Sequence, residues 1–164
     1  MEAWRDFGDI KAFFWALAWT QPRILGLFIA IPVFHAELMP TMLRMGVAAV
    51  LGLIVAPRLA PELAAADLGL GTMLVLVGKE AFVGFVLGCL LAVPFWAFEA
   101  VGFLVDNQRG ASIASTLNPL TGNDSSPLGI LFNQAFIVFF LVSGAFLVML
   151  DVLYGSFRLW PEIG

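Results

Sequence analysis

The sequence has few charged side chains: 8 Lys or Arg and 12 Asp or Glu among 164 residues, which is 12%. Soluble domains carry about 25%, and this chain has too few charges to cover a water-exposed globule of its size. The scarcity nearly excludes a soluble enzyme. Proteins that bind a nucleic acid neutralise its phosphates with clustered Lys and Arg. Here the basic residues are scattered and the net charge is −4, so no nucleic-acid partner is expected.

Side chains that commonly act in catalysis or in metal binding are also scarce. Cys89 is the single cysteine and lies in an apolar run, which excludes an internal disulfide and a zinc site built from paired thiolates. His35 is the single histidine, and the sequence contains no metalloprotease motif and no phosphate-binding glycine loop. We therefore expect no enzymatic activity, no metal ion and no cofactor.

Hydrophobic sequence, in contrast, is abundant: 61% of the residues are apolar, against about 45 to 50%, glycine included, in soluble domains. A helix needs roughly 20 residues to cross a bilayer. Four apolar segments approach or exceed this length, namely Ala12 to about Ala36, Thr41 to Ala56, about Leu70 to Val105, and Leu128 to the residue before Asp151. The sequence predicts an all-α membrane-embedded protein of about four long, kinked helices that form a single domain over residues 1–164.

Prolines predict where these helices bend or end. Pro22 and Pro32 predict a kinked or two-piece first helix, Pro57 predicts the end of the second helix, and Pro94 predicts a kink in the third. The third segment, at about 35 residues, would span roughly 50 Å as a helix, which exceeds the hydrocarbon core. We expect this helix to protrude, tilt or break.

One segment differs in composition from the rest: residues 106–127 read DNQRGASIASTLNPLTGNDSSP, of which thirteen are polar. Structureless loops longer than roughly 12 to 15 residues are commonly lids, binding loops or linkers. This polar insert could plug a polar conduit, or it could be a surface loop that joins two helices. The candidate plug or gate residues are Asp106, Asn107, Gln108, Arg109, Gly110, Ala111, Ser112, Ser115, Asn118, Pro119, Gly122 and Asn123.

Polar residues that flank the insert are candidate helix contacts, because a charge at membrane depth is costly unless it meets a partner or water. Glu99 and Asp106 are seven residues apart and would share nearly one face of a continuing helix. Glu99 could make a polar contact near a gate or reach the headgroups from a helix end, and Arg109 could pair with Asp106 or be solvated. Asn133 and Gln134 could bond to the insert or cap the last helix.

Lys79 and Glu80 interrupt the third apolar segment at adjacent positions, which do not face each other on a helix. Each therefore needs its own partner. They could mark a salt-bridged subunit contact, or they could be interfacial residues that precede a helix beginning near Ala81.

Small residues recur every four positions further along the same segment, at Gly84, Gly88 and Ala92. This spacing allows helices to approach closely in lipid. Glycine is common in membrane helices, so a helix-packing interface with another subunit and a chance pattern both remain open.

A dense group of motifs surrounds the insert: GFLVDNQRGAS at 102–112, Asn118-Pro119, SPLG at 126–129 and FNQ at 132–134. This sequence resembles the T-subunit family of the type III secretion export apparatus, whose flagellar counterpart is the FliR family. The apolar helices follow the same plan across the whole chain. The resemblance implies one copy per machine, assembled with P/R-type and S/Q-type subunits and beside a switch protein into an export gate, among the lipids of the bacterial inner membrane.

The resemblance also implies a role for the insert, since the corresponding loop of that family hangs into the channel as a plug, here from Asp106 to about Asn123. Unfolded secreted proteins are the expected cargo. Family members continue into a C-terminal helical hairpin and a basic tail, which would lie beyond Gly164. The alternative function is a subunit of a small-solute or ion channel or transporter.

Overall fold

The computed structural model describes residues 2–35, 38–65, 69–109 and 126–160. Within these ranges the chain forms five α-helices and a short 3₁₀ helix, Pro32–Phe34, and contains no β-strand, so the predicted all-α class is confirmed. The α-helices are α1 (Glu2–Ala30), α2 (Thr41–Ala65), α3 (Leu70–Gln108), α4 (Pro127–Val142) and α5 (Ala145–Leu159).

Three of these helices are long and apolar enough to cross a bilayer, over Ile10–Ala30, Thr41–Pro61 and Leu70–Gln108. A fourth crossing is possible if α4 and α5 are taken as one bent span. These lengths and compositions agree with the predicted multi-pass membrane protein.

The chain divides into two compact units, each with its own packing. The first unit comprises Met1–Leu90 and Leu150–Gly164, and the second comprises Leu91–Met149. Two helices contribute to both units, because α3 continues past Leu90 and α5 begins before Leu150.

The core of the first unit includes the contact between α1 and α2. Six apolar side chains are buried there: Ala16, Trp19, Val55, Ala56, Leu59 and Leu63. Gly52 leaves room for side chains of α1, since a Cβ atom at this position would lie 2.7 Å from Nε2 of Gln21. The side chains from α2 follow helical spacing, so they form one face that continues to Leu63.

The predicted end of the second helix before Pro57 is wrong, because α2 continues through Pro57 and Pro61 to Ala65. A proline inside a helix costs about 3 kcal/mol. Leu59 and Leu63 lie beyond Pro57 and are each only 6% exposed, and burying a leucine is worth about 1.5–3 kcal/mol. Packing against α1 therefore offsets much of the cost of the prolines.

The first helix also passes its proline without ending: α1 includes Pro22 and stops at Ala30. The second piece expected from Pro32 is the 3₁₀ helix, in which Phe34 stacks on Phe28 with the ring centroids 3.8 Å apart. The two aromatic rings fix the chain against the last turn of α1.

The third helix confirms the predicted segment, since α3 runs from Leu70 to Gln108 and contains Pro94. Its 39 residues correspond to a length of about 58 Å at 1.5 Å per residue, against roughly 30 Å of hydrocarbon. The alternative start near Ala81 is wrong, because the helix begins eleven residues earlier and Lys79 and Glu80 lie inside it.

The last apolar segment is not one straight helix: it bends by 74° between α4 and α5. Gly144 has a φ of +82°, a left-handed conformation that suits glycine and commonly ends a helix. Ser143 closes α4 with a backbone hydrogen bond from its N–H to the carbonyl of Phe139. The predicted fourth helix is therefore a bent pair.

Candidate functional site at the base of the polar insert

Asp106 lies in the last turn of α3 and is 6% exposed. Its Oδ2 atom accepts a hydrogen bond from Oγ of Ser126, at 2.6 Å, and one from the backbone N–H of Leu128, at 2.9 Å. We call these three residues the Asp106 clamp. Because residues 107–125 lie between its members, the clamp joins the two ends of the polar insert.

The local sequence explains why the first turn of α4 can receive this carboxylate. Ser126 is the N-cap of α4, and its Oγ accepts a hydrogen bond from the N–H of Gly129 at 2.9 Å. Pro127 occupies the first helical position, where its fixed φ suits the helix and no N–H is required. The remaining N–H groups of a first turn attract anions, so the carboxylate of Asp106 is well placed.

Two glycines allow α3 and α4 to meet at this junction. A Cβ atom on Gly102 would lie 2.6 Å from Cα of Gly129, and one on Gly129 would lie 3.2 Å from the carbonyl oxygen of Glu99. Larger side chains would separate the two backbones. Gly102 precedes Asp106 by about one helical turn, so this close contact brings the carboxylate to the start of α4.

Glu99 and Asn133 extend the contact away from the insert. Nδ2 of Asn133 donates a hydrogen bond to Oε2 of Glu99 at 3.0 Å. Oδ1 of Asn133 is buried and has no hydrogen-bond partner among the described residues. Further along, the ring of Phe95 meets that of Phe136 edge to face, with the centroids 4.7 Å apart. The α3–α4 contact is thus polar near the insert and aromatic farther from it.

The structure places the other candidate residues of this region as follows. Asn107, Gln108, Arg109 and Gln134 are exposed. The carboxylate of Asp106, for which Arg109 was a possible partner, bonds to α4 through the clamp. The remaining plug candidates lie outside the described residues: Gly110, Ala111, Ser112, Ser115, Asn118, Pro119, Gly122 and Asn123.

A second polar cluster lies in the first unit, where Arg23 of α1 pairs with Glu80 of α3. Nε of Arg23 donates to Oε2 of Glu80 at 2.6 Å, and Nη2 donates to Oε1 at 2.9 Å. Both side chains are 0% exposed. Nζ of Lys79 lies 3.9 Å from Oε1 of the same glutamate. Two parallel charge-assisted hydrogen bonds of this kind are among the stronger polar interactions in proteins.

Arg23 also binds the end of α5. Its Nη2 donates to the carbonyl of Trp160 at 2.9 Å and its Nη1 donates to Oγ of Ser156 at 3.2 Å. The guanidinium lies 4.3 Å from the centroid of the Phe157 ring. Arg23 therefore connects α1 to both α3 and α5. The sequence analysis assigned no role to Arg23, although a charge at that depth signals that a partner is required.

The small residues of α3 pack against α1 of the same chain. A Cβ atom on Gly84 would lie 2.8 Å from Cα of Arg23, and one on Gly88 would lie 3.0 Å from Cβ of Ala30. Gly26 is the corresponding small residue of α1, where an added Cβ would lie 3.0 Å from the backbone nitrogen of Phe85. The small residues at Gly84 and Gly88 therefore form a helix contact within the first unit, between α3 and α1. Ala92, which continues it, is fully buried in the second unit.

Comparison with known proteins identifies relatives along nearly the whole chain. Residues 14–163 match the family of bacterial export proteins, family 1. The chain is 40% identical over 141 residues to the Yop proteins translocation protein T of Yersinia pestis, a match that covers 85% of this chain and 54% of that protein.

Two further relatives come from other systems. The chain is 44% identical over 87 residues to the surface presentation of antigens protein SpaR of Salmonella typhimurium, covering 53% of this chain and 33% of SpaR. It is 31% identical over 138 residues to the flagellar biosynthetic protein FliR of Bacillus subtilis, covering 83% of this chain and 52% of FliR. The chain thus spans about half the length, or less, of these relatives.

Proposed function

This chain belongs to the bacterial export proteins of family 1, and on that basis we propose that it is a subunit of the inner-membrane export gate of a type III protein secretion apparatus. In this role it helps to form and to close the channel through which unfolded proteins leave the cell. Two relatives, a translocation protein and a flagellar biosynthetic protein, support a part in such a machine.

The Asp106 clamp is the observation that supports a closing role for the insert. It holds the end of α3 against the start of α4, so residues 107–125 leave and return at one junction. A segment tied at both ends explores less space than a free arm does, because loop closure reduces its conformational entropy. A plug needs ends that are fixed in this way.

The side chains of the insert suit the same role. Most are small or uncharged hydrogen-bonding groups, and only three of the residues in 106–127 are charged. Such groups can form hydrogen bonds with backbone groups and with water inside a polar conduit. They would not select strongly for one ion, as a gate for polypeptides requires.

The partners in this assembly are the P/R-type and S/Q-type gate subunits and a neighbouring switch protein. The outer faces of α2 and α3 carry large exposed apolar side chains, among them Leu53, Ile54, Val75 and Phe82. Apolar surfaces of this kind pack against lipid or against other membrane helices. A hetero-oligomer would cover part of them.

The experiment is a deletion of Ser112 to Ser115, which shortens the insert without touching the described helices or the clamp. We expect membranes that contain the assembled complex to leak small solutes. The control replaces the same four residues by Gly-Ser-Gly-Ser, which keeps the length and should leak less than the deletion. Normal assembly with an unchanged leak would remove the plug assignment.

Co-purification separates the export gate from the alternative channel function. We expect the chain to be recovered with P/R-type and S/Q-type subunits after gentle detergent extraction, at a stoichiometry measured by native mass spectrometry. Ion conduction by a homo-oligomer of this chain, without those partners, would favour the small-solute or ion channel instead.

A further inference from the structure

Glu99 places a negative charge on an exposed apolar surface of α3. Its side chain is exposed. The ring of Trp96 lies one turn before it and the ring of Phe103 one turn after it, and both rings are about half exposed. The carboxylate therefore lies within an apolar surface rather than at its edge. A charge in such surroundings is costly unless it meets a partner or water.

The two aromatic side chains share a face of the helix with the carboxylate. Trp96 precedes Glu99 by three residues and Phe103 follows it by four, and side chains at these spacings are neighbours on a helix. The face of an aromatic ring attracts an ammonium or guanidinium group, and a carboxylate attracts the same groups. The three side chains together form a surface that suits a cation.

The second unit contains no cation that pairs with this carboxylate. Its sequence has three acidic residues and a single basic one, Arg109. Arg109 lies ten residues further along α3, a rise of about 15 Å from Glu99. Within the described part of the chain, no Lys or Arg forms an ion pair with Glu99. A cation for this site has to come from another source.

Asn133 of α4 holds the carboxylate in one orientation. Its Nδ2 atom donates to Oε2 of Glu99, whereas Oε1 accepts no hydrogen bond from the described residues. Oδ1 of Asn133 is itself buried without a described partner. A buried acceptor that lacks a donor costs free energy, and an apolar side chain at this position would avoid that cost. The chain thus orients Glu99 at the expense of its own stability.

We propose that Glu99 receives a Lys or Arg side chain from a membrane helix of a partner subunit, with the rings of Trp96 and Phe103 beside the cation. A basic residue on an apolar helix needs an anion as much as Glu99 needs a cation, and such residues commonly pair with one another inside membranes. The pair fixes the register between the two helices. A lipid ammonium fits less well, because it lies at the level of the headgroups.

The test is recovery of gate subunits with the full chain from membranes of cells that make the whole apparatus, so it rests on the proposed function. Glu99→Lys brings two cations together and should reduce recovery more than about tenfold, as loss of a charge pair at an interface does. Glu99→Gln still accepts the bond from Asn133 and should reduce recovery less. Asp151→Asn, which removes an exposed carboxylate of α5, is the matched control and should recover the subunits normally.

Thermal unfolding of the chain by itself in detergent separates docking from folding. We expect Glu99→Gln to unfold at the wild-type temperature, because its charge faces outward and its bond to Asn133 is kept. Loss of assembly only in variants that also unfold early would overturn the proposal, since Glu99 would then serve the stability of its own chain.

A selection for restored secretion in cells that carry Glu99→Lys locates the cation. We expect changes of Lys or Arg to Glu or Asp in an apolar helix of a partner subunit, because exchange of both charges restores the pair. Suppressors that map only to this chain would contradict a partner's cation.

Two further results would overturn the proposal while the proposed function stands. One is equal recovery of gate subunits by Glu99→Lys and Asp151→Asn. The other is phosphatidylethanolamine that the wild-type chain retains in native mass spectrometry and Glu99→Gln loses with assembly unchanged, because the cation would then belong to a lipid. A wild-type chain that recovers no gate subunit would contradict the proposed function and this inference with it.

Discussion

Asp106 and Ser126 are twenty residues apart in the chain, and their side chains are joined by a hydrogen bond of 2.6 Å. The serine is at once the N-cap of α4 and the donor to the carboxylate, so the end of one helix and the start of the next are fixed by the same hydroxyl group. This arrangement determines where the polar insert begins and ends.

Weakening this junction should loosen the insert. Ser126→Ala removes both the cap and the bond to Asp106, and loss of an N-cap costs about 0.5–2 kcal/mol. Asp106→Ala should also lower stability, because it leaves the hydroxyl of Ser126 and the N–H of Leu128 without their acceptor, although the cap of Gly129 remains. Thermal unfolding in detergent measures both effects. Asn107→Ala, at the exposed neighbouring position, is the control, and an effect as large as that of Asp106→Ala would contradict the assignment.

Arg109 should matter little to this junction. Its side chain is exposed, and the hydrogen bonds to the carboxylate of Asp106 come from Ser126 and Leu128. We therefore expect Arg109→Ala to secrete at close to the wild-type rate and Asp106→Ala to secrete poorly. If Arg109→Ala reduced secretion strongly and the double variant restored it, the two residues would be a protected pair after all.

The Arg23–Glu80 pair should be sensitive to the loss of either partner. Removing one member of a buried pair costs about 3–5 kcal/mol, because an uncompensated charge remains, whereas replacing both by apolar residues is often tolerated. We expect Arg23→Met and Glu80→Leu each to lower the unfolding temperature sharply, and the double variant to recover part of the loss. Additive losses in this cycle would show that the two side chains act independently.

Gly84 and Gly88 of α3 should be required for the stability of this chain by itself. Gly84→Leu and Gly88→Leu would force side chains into the backbone of α1, and overpacking typically costs about 1–3 kcal/mol. We expect lower thermal stability even when no partner subunit is present. Leu90→Ala is the matched control, since Leu90 is exposed. Glycine variants that are stable alone but fail to assemble would instead assign this face to another subunit.

The bend between α4 and α5 should depend on one glycine. Gly144→Ala places a Cβ atom in a left-handed conformation, at a cost of about 1–2 kcal/mol. Gly155→Ala, at a helical position with open space around it, should instead stabilise α5 by roughly 0.5–1 kcal/mol. Calorimetry of the two variants checks the opposite signs. A stable Gly144→Ala variant would show that the bend does not need a glycine.

The sequence predicted the structure best where neighbouring residues alone determine it, as at the start of a helix. The predicted starts of the second segment at Thr41 and of the third near Leu70 agree with α2 and α3. The end of α2 was wrong because burial of Leu59 and Leu63 beyond Pro57 depends on α1, which the local pattern does not show. The bend at Gly144 lies in an otherwise uninterrupted apolar run and was missed.

Partners distant in the chain were the least predictable part of the candidate site. Glu80 is recognisable as a costly charge that needs a partner, but only the packing of α1 on α3 brings Arg23 to it across 57 residues. For Asp106 the sequence offered only the nearby Arg109, and the hydrogen bond from Ser126, twenty residues further on, was not foreseen. The plug role of residues 110–125 rests on their composition and on the resemblance, and stays a prediction.

The most direct test of the account is whether the insert meets a protein in transit. A photo-crosslinking amino acid is placed at Ser115, and export is stalled by a secreted protein fused to a tightly folded domain. We expect Ser115 to cross-link to the stalled chain, and the same amino acid at Leu74, on the exposed surface of α3, to give no such product. Assembled complexes in which Ser115 gives no cross-link, or no more than Leu74 does, would contradict the claim that the insert lies in the export channel.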